Sequence, residues 1–261
     1  MSEVIEEYKK IWVRDNSGEL ILRDLANESE DFTTEKYYNG VKDTFNYMWY
    51  EMFHHYIHED IGCDYERYGC VIEPGDVVLD LGANIGVFSY RAETRGASKV
   101  YAFEPMSYTY ECLTRNKGDK TITYNLGVGL DSGFNKFKIH SSLDNVGGGA
   151  YDPGNVLENK GLEIVREEMA YIVGINDVFT IDKFDFMKID IEGSEVVVLN
   201  SITDENLSSL RCISGEFHFN GNEEYNDFQK GFCNRLNRLG FNHFTLYHGD
   251  GALRTINAWK R

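Results

Sequence analysis

The stretch from Val77 to Glu104, VVLDLGANIGVFSYRAETRGASKVYAFE, constrains the chain most, because it reads as strand, glycine-bracketed turn, helix and second strand in succession. Val77, Val78 and Leu79 form an apolar run ending in Asp80, the pattern of a strand buried on both faces of a parallel sheet. Gly82 and Gly86 bracket the turn, where the missing Cβ lets the backbone bend sharply and approach a ligand closely. Ile85, Phe88 and Ala92 recur at helical spacing up to Arg95, and Gly96 is a suitable C′ residue. Lys99 to Phe103 makes the next strand. Glu104 follows it, eighteen residues beyond Gly86, where a carboxylate can accept hydrogen bonds from a ribose diol.

The loop spacing separates two nucleoside cofactors. A dinucleotide fingerprint is G-x-G-x-x-G, whereas this chain has Asp80-x-Gly82-x-x-x-Gly86. Asp80 at the strand end would repel a pyrophosphate but attract an ammonium and a sulfonium. S-adenosylmethionine is therefore expected in preference to NAD. The competing structural reading is that Gly82 and Gly86 serve only close helix–sheet packing. No G-x-x-x-x-G-K-[ST] loop occurs, which removes support for ATP or GTP hydrolysis.

Pro105 is expected in the first turn of a helix that carries Met106, Tyr110 and Leu113 on one face and stops near Gly118. A third strand, Thr121 to Leu126, places Asn125 and Leu126 beside the adenine if Glu104 holds the ribose. A fourth, Phe184 to Asp190, ends in Asp190 and Glu192, with Gly193 and a helix through Val198, Leu199 and Ile202 after it. A fifth, Arg211 to His218, puts Glu216 and His218 on one face and makes a candidate active-site rim. A helix from Asn222 to Leu239 stripes Tyr225, Phe228, Phe232, Leu236 and Leu239 towards a core. Phe241 to His248 and Ala252 to Trp259 are joined only by Gly249-Asp250-Gly251, too short for a parallel crossover, so they must form an antiparallel hairpin. A mostly parallel Rossmann-like α/β sheet with helices on both faces, closed by such a hairpin, is the arrangement of class I methyltransferases.

Outside this core, Lys10 to Asp24 reads as a hairpin around Asn16-Ser17-Gly18. Phe32 to Tyr68 is dense in aromatics and reads as a helical lid, one or two of whose rings could stack on a substrate. Ser141 to Pro153 lacks periodicity and reads as a mobile loop able to gate the site. We expect residues 1–70 to supply the hairpin and lid, packed on a cofactor-binding domain over 71–261 as one structural unit. The excess of 43 Asp+Glu over 26 Lys+Arg gives a net charge of −17, which repels a phosphate backbone. A small-molecule acceptor is expected, not nucleic acid or membrane. Five cysteines without CxxC spacing argue against a disulfide framework or a zinc site, and no run of about eighteen apolar residues is present, so a cytoplasmic protein is expected. The sequence carries no signal of oligomeric state.

The segments VVLDLGANIGVFSYRA, VYAFEP and FDFMKIDIEGSEVVVL together resemble the FkbM-type family of S-adenosylmethionine-dependent methyltransferases. The resemblance covers roughly Val71 to His218 and includes Thr180 to Phe184. It implies O-methylation of a hydroxyl on a sugar or natural product, and it implies cofactor residues at Asp80, Gly82, Asn84, Gly86 and Glu104. Met106, Asn125 and Leu126 complete the expected cofactor set.

For catalysis, His218 is the expected base and Glu216 its orienter, because an attacking hydroxyl must lose a proton. Asp190 and Glu192 would position the acceptor, or would join Glu216 and His218 around a divalent cation; a metal is not the expected outcome. The structural alternative for Asp190 and Glu192 is capping of the following helix. His54 and His58 share a helical face but have no identifiable third ligand. N-methylation of a small amine would use the same cofactor residues. A nicotinamide-dependent oxidoreductase and a non-catalytic binding module are more distant alternatives.

Overall fold

The structure, a computed structural model, describes residues 10–14, 19–24, 65–140, 149–150, 164–218, 222–248 and 253–260. Strands β1 (Lys10–Arg14) and β2 (Leu20–Asp24) pair antiparallel as the expected hairpin. The chain then runs through β3 (Val77–Leu81), α1 (Val87–Thr94), β4 (Lys99–Phe103), α2 (Ser107–Asn116) and β5 (Thr121–Tyr124). Four strands follow: β6 (Gly127–Gly129), β7 (Gly133–His140), β8 (Gly149–Ala150) and β9 (Ile164–Gly174). Next come α3 (Ile175–Val178), β10 (Phe186–Ile189), α4 (Glu195–Ser201), α5 (Asp204–Ser209) and β11 (Cys212–His218). Helix α6 (Asn222–Arg238) leads into β12 (Asn242–His248) and β13 (Leu253–Trp259).

The main sheet has the order β12-β13-β11-β10-β3-β4-β5. Strands β11, β10, β3, β4 and β5 are parallel, while β13 pairs antiparallel with both β11 and β12. This is the parallel sheet with a terminal antiparallel hairpin expected from the short Gly249-Asp250-Gly251 connection. From β3 the chain steps outward to β4 and β5, then returns to lay β10 on the other side of β3. The β3/β10 border is thus a topological switch point, where the carboxyl ends of strands open a crevice.

Alternation along the strands explains why their sequences are apolar throughout. Val78, Val100, Phe186 and Cys212 face one layer, with Ile85, Phe88 and Ala92, whereas Leu79, Phe103, Met187, Ile189 and Phe217 face the other, with Val198, Leu199, Phe228 and Phe232. Polar residues interrupt the first face in register. Asp80 lies opposite Lys188 across β3/β10, Lys188 opposite Ser214, and Ser214 opposite Asn257, all four buried.

Several expectations need correction. Pro105 is not in the first turn of α2; Met106 is the N-cap, and Pro105 precedes it. Strand β5 stops at Tyr124, so Asn125 and Leu126 lie beyond the strand, and β10 is confined to Phe186–Ile189. The connection from β5 to β10 holds a second sheet, ordered β6-β9-β7-β8, that the sequence reading lacked. Within the stretch expected to be a loop, Gly149 and Ala150 pair with β7, and the remainder from Ser141 to Pro153 lies outside the described residues. The aromatic lid lies outside them up to residue 64, as do His54, His55 and His58.

Two anchors hold the flanking segments. The side chain of Asn116 at the end of α2 accepts from Trp12 N at 2.8 Å and donates to Trp12 O at 3.0 Å and to Ile85 O at 2.8 Å, tying the hairpin to the start of α1. Glu66 pairs with Arg91 of α1, both fully enclosed, and also accepts from Ile72 N at 3.0 Å. Removing one partner of such a pair typically costs about 3–5 kcal/mol. That anchor fixes the neighbouring Tyr65 over the end of the sheet.

Candidate active site

The crevice at the β3/β10 border has a glycine-loop side and an acidic side. On the first, Gly82 has φ +76° and a Cβ there would lie 1.7 Å from the Asp190 carbonyl oxygen, so only glycine fits. Its N–H and that of Ala83 both donate to Phe103 O, at 3.0 and 2.9 Å, which folds the loop over the end of β4. Asn84 is left-handed at φ +51°, and its side-chain oxygen accepts from Ile85 N at 2.7 Å, the local hydrogen bond that makes Asn tolerable there. Gly86, at φ +95°, is the N-cap of α1; a Cβ on it would meet Leu113 Cδ1 at 2.8 Å. Close helix packing is therefore a real part of the role of Gly86, as the structural alternative held.

Glu104 is 6% exposed and locks onto this loop. One carboxylate oxygen accepts from Asn84 N at 3.0 Å, and the other accepts from Met106 N at 2.9 Å and from Thr109 Oγ1 at 3.0 Å. Three of about four acceptor positions are thereby used, leaving one for a ligand hydroxyl. Burial pushes its pKa up to about 7 against those hydrogen bonds. Asn125 Nδ2 donates to Glu104 O and Pro105 O, both at 3.0 Å, pinning the chain just after the carboxylate. The Met106 side chain is packed with Phe137, Ala170 and Ile172 of the second sheet, and Leu126 packs on the main core.

Asp80 is fully buried: Ser89 Oγ donates to it at 2.6 Å, and the Lys188 ammonium stands 3.6 Å from its second oxygen. Burial raises its pKa against the pull of Lys188. Sequence reasoning missed Lys188, which is 4% exposed, donates to Gly82 O at 2.8 Å and lies 3.6 Å from Asp190 Oδ2. Burial draws its pKa down, but Asp190 and Asp80 more than offset this and keep it raised, so it is charged.

The acidic side gathers Asp190, Glu192, Glu195, Glu216 and His218. Tyr65 Oη lies within 3.0 Å of Asp190 Oδ2 and 3.4 Å of Glu216 Oε2, which brings one ring of the aromatic-rich segment into the site. His218 Nε2 is 3.6 Å from Glu192 and 3.8 Å from Glu216. The carboxylate facing its Nδ1 is Glu195, at 3.4 Å, so Glu195 holds the position expected of Glu216. Burial lowers the His218 pKa, but the hydrogen bond and charge of Glu195 outweigh it and push the value to about 10. Burial, then the charge of Asp190, pushes Glu192 up to about 7.

Neither Asp190 nor Glu192 caps α4, whose N-cap Ser194 has no side-chain cap hydrogen bond; Glu195 instead ties the preceding loop, accepting from Ile191 N at 2.9 Å and Gly193 N at 3.0 Å. That loop reverses through Glu192 at φ +55° and Gly193 at φ +103°. Asp190, Glu192 and His218 each present one ligand atom within 4.8 Å of the others, a spacing that a divalent cation could bridge.

The chain matches the description "Methyltransferase FkbM domain" over residues 80–242. It belongs to the FkbM methyltransferase family. This assignment agrees with the resemblance carried by the GANIG and KIDIEG segments, and the sheet order is that of class I methyltransferases. The FkbM-family chain is 29% identical over 199 residues to the AMB antimetabolite synthetase AmbE of Pseudomonas aeruginosa, covering 62% of this chain and 9% of that one. It is 28% identical to the 31-O-demethyl-FK506 methyltransferase FkbM of Streptomyces tacrolimicus, covering 59% and 70%. It is also 28% identical to the hexuronic acid methyltransferase AglP of Haloferax volcanii, covering 56% and 57%. The chain thus spans from under a tenth to seven tenths of the length of these relatives. Among solved structures, a precorrin-6y C5,15-methyltransferase from Geobacter metallireducens overlaps 73% of the chain and 84% of its own, with TM-score 0.40 and 12% identity. Among the described residues, no helix is long and apolar enough to cross a membrane.

Proposed function

We propose that this chain transfers a methyl group from S-adenosylmethionine to a hydroxyl of a sugar or small natural product. The observation that carries the reading is the interlock of Glu104 with Asn84 N, which joins a ribose-type acceptor to a glycine loop at the switch point. Family membership supports the reaction. The printed names of two relatives, one acting on a demethylated FK506 and one on a hexuronic acid, support the acceptor class.

In this reading Glu104 receives a ribose hydroxyl, Gly82, Ala83 and Asn84 form the wall of the cofactor seat, and Asn125 and Leu126 lie at its outer end. When bound, S-adenosylmethionine supplies the electrophilic methyl carbon. That carbon would be open to attack by the acceptor oxygen, and the hydroxyl proton given up would go to the Glu192 carboxylate, because His218, raised to about 10 and 3.6 Å away, already holds a proton. Asp190 and Glu216, bridged by Tyr65, position the acceptor.

The test is incubation with S-adenosylmethionine and a panel of uronic acids, neutral sugars, macrolide alcohols and small amines, read by mass spectrometry for one added methyl and for equimolar S-adenosylhomocysteine. Methylated hydroxyl products are expected. Products methylated only on nitrogen would overturn the acceptor class, and absence of S-adenosylmethionine binding would overturn the reaction itself.

A further inference from the structure

A buried lysine under the cofactor loop is left without a role by the roles proposed above. Lys188 sits on β10 in register with Asp80 on β3, and its aliphatic stem belongs to the same sheet face as Phe186 and Val78. Its ammonium can donate three hydrogen bonds. One goes to Gly82 O at 2.8 Å, while Asp80 Oδ1 and Asp190 Oδ2 each lie 3.6 Å away. The Tyr65 ring covers it, with Nζ 5.4 Å from the ring centroid, a separation at which a cation is attracted to the ring face. Gly82 leaves no room for a Cβ beside Asp190 O, and its carbonyl stands at the head of the loop that runs on to Gly86. Neutralising Asp80 would require only a charge beside that carboxylate. The shortest contact of the ammonium is instead to the loop carbonyl.

We propose that Lys188 is a positioning residue for S-adenosylmethionine, holding the Gly82–Gly86 loop in its binding shape through the Gly82 carbonyl. The proposal rests on the methyltransferase reading and adds to it the group that sets the cofactor seat from below. A hydrogen bond from a charged donor is worth about 1.5–3 kcal/mol, which corresponds to roughly a 10- to 100-fold change in affinity.

The experiment is a double-mutant cycle of wild type, Asp80→Asn, Lys188→Met and the double variant, each titrated calorimetrically with S-adenosylmethionine and melted in parallel. The double variant removes both charges of the buried pair, a replacement that is often close to neutral for folding, so it keeps the comparison available if Lys188→Met alone does not fold. If Lys188 acts through the loop, Lys188→Met weakens binding at least about tenfold in the Asp80→Asn background, even with melting temperatures matched. A change under about twofold in that background would show that the lysine only neutralises Asp80, and would overturn the proposal while leaving the methyltransferase reading intact. Failure of the wild type to bind S-adenosylmethionine would overturn both.

Discussion

The two sides of the crevice are built on opposite plans. On the glycine-loop side, Gly82, Ala83 and Asn84 are tied to Phe103 O and Glu104 by hydrogen bonds of 2.9–3.0 Å, and Glu104 and Asp80 are buried. On the acidic side, the contacts of His218 are 3.4–3.8 Å long and Glu192 and His218 remain about a third exposed. The first region is complete before any ligand arrives. The second leaves polar atoms spaced for groups that a ligand would bring. Under the proposed function, the fixed side would seat the cofactor and the open rim would receive the acceptor.

The comparison breaks most severely if Gly82 can carry a side chain. Gly82→Ala would drive a Cβ into the Asp190 carbonyl at a left-handed φ, so we expect a loss of about 3 kcal/mol or more, read as a lowered melting temperature, together with loss of S-adenosylmethionine binding. Retained folding and near-wild-type binding would mean that the loop is not rigid. His218→Ala sharpens the contrast from the other side. Turnover should fall roughly 100-fold or more while S-adenosylmethionine affinity changes less than about threefold. Unchanged turnover with cofactor bound would show that the His218 imidazolium does not support the Glu192 carboxylate in the reaction.

The pH dependence of stability separates buried from open groups. Glu104 is raised to about 7 in the fold, so it destabilises the fold when ionised: the penalty is absent well below its unfolded value, grows as pH rises towards 7, and is complete above it. His218 is raised to about 10, so its stabilisation is complete below its unfolded value and is lost as pH rises towards 10. Both contributions make the ligand-free protein melt at a lower temperature at pH 8 than at pH 5. Glu104→Gln should remove its share of the fall between 5 and 7 and leave that of Glu192, which is also raised to about 7. The smallest effect belongs to an exposed pair remote from either side: Lys136→Ala removes a 2.9 Å contact to Glu167 and should cost under about 0.5 kcal/mol by chemical denaturation.

The glycine-loop side was legible in the sequence because each of its parts is local. A strand end, two glycines and a carboxylate after the next strand are read from one continuous segment, and the structure places Gly82, Asn84, Gly86 and Glu104 together. Lys188 was passed over because a single lysine in the run FDFMKID reads as noise in a buried strand. Its meaning depends on register with Asp80, which only sheet pairing sets. Glu195 was missed for a similar reason, since the left-handed turn at Glu192 and Gly193 decides which carboxylate meets His218. Strands β7 and β9 were missed because their residues find partners far along the chain, where β-propensity is decided by packing and not by local pattern.

The most direct measurement is a calorimetric titration of wild type and Glu104→Ala with S-adenosylmethionine and, separately, with NADH. The account predicts that wild type binds S-adenosylmethionine and not NADH, and that Glu104→Ala, which strands the Asn84 and Met106 N–H groups, weakens that binding at least about tenfold. Binding of NADH instead, or S-adenosylmethionine affinity unaltered by Glu104→Ala, would contradict it.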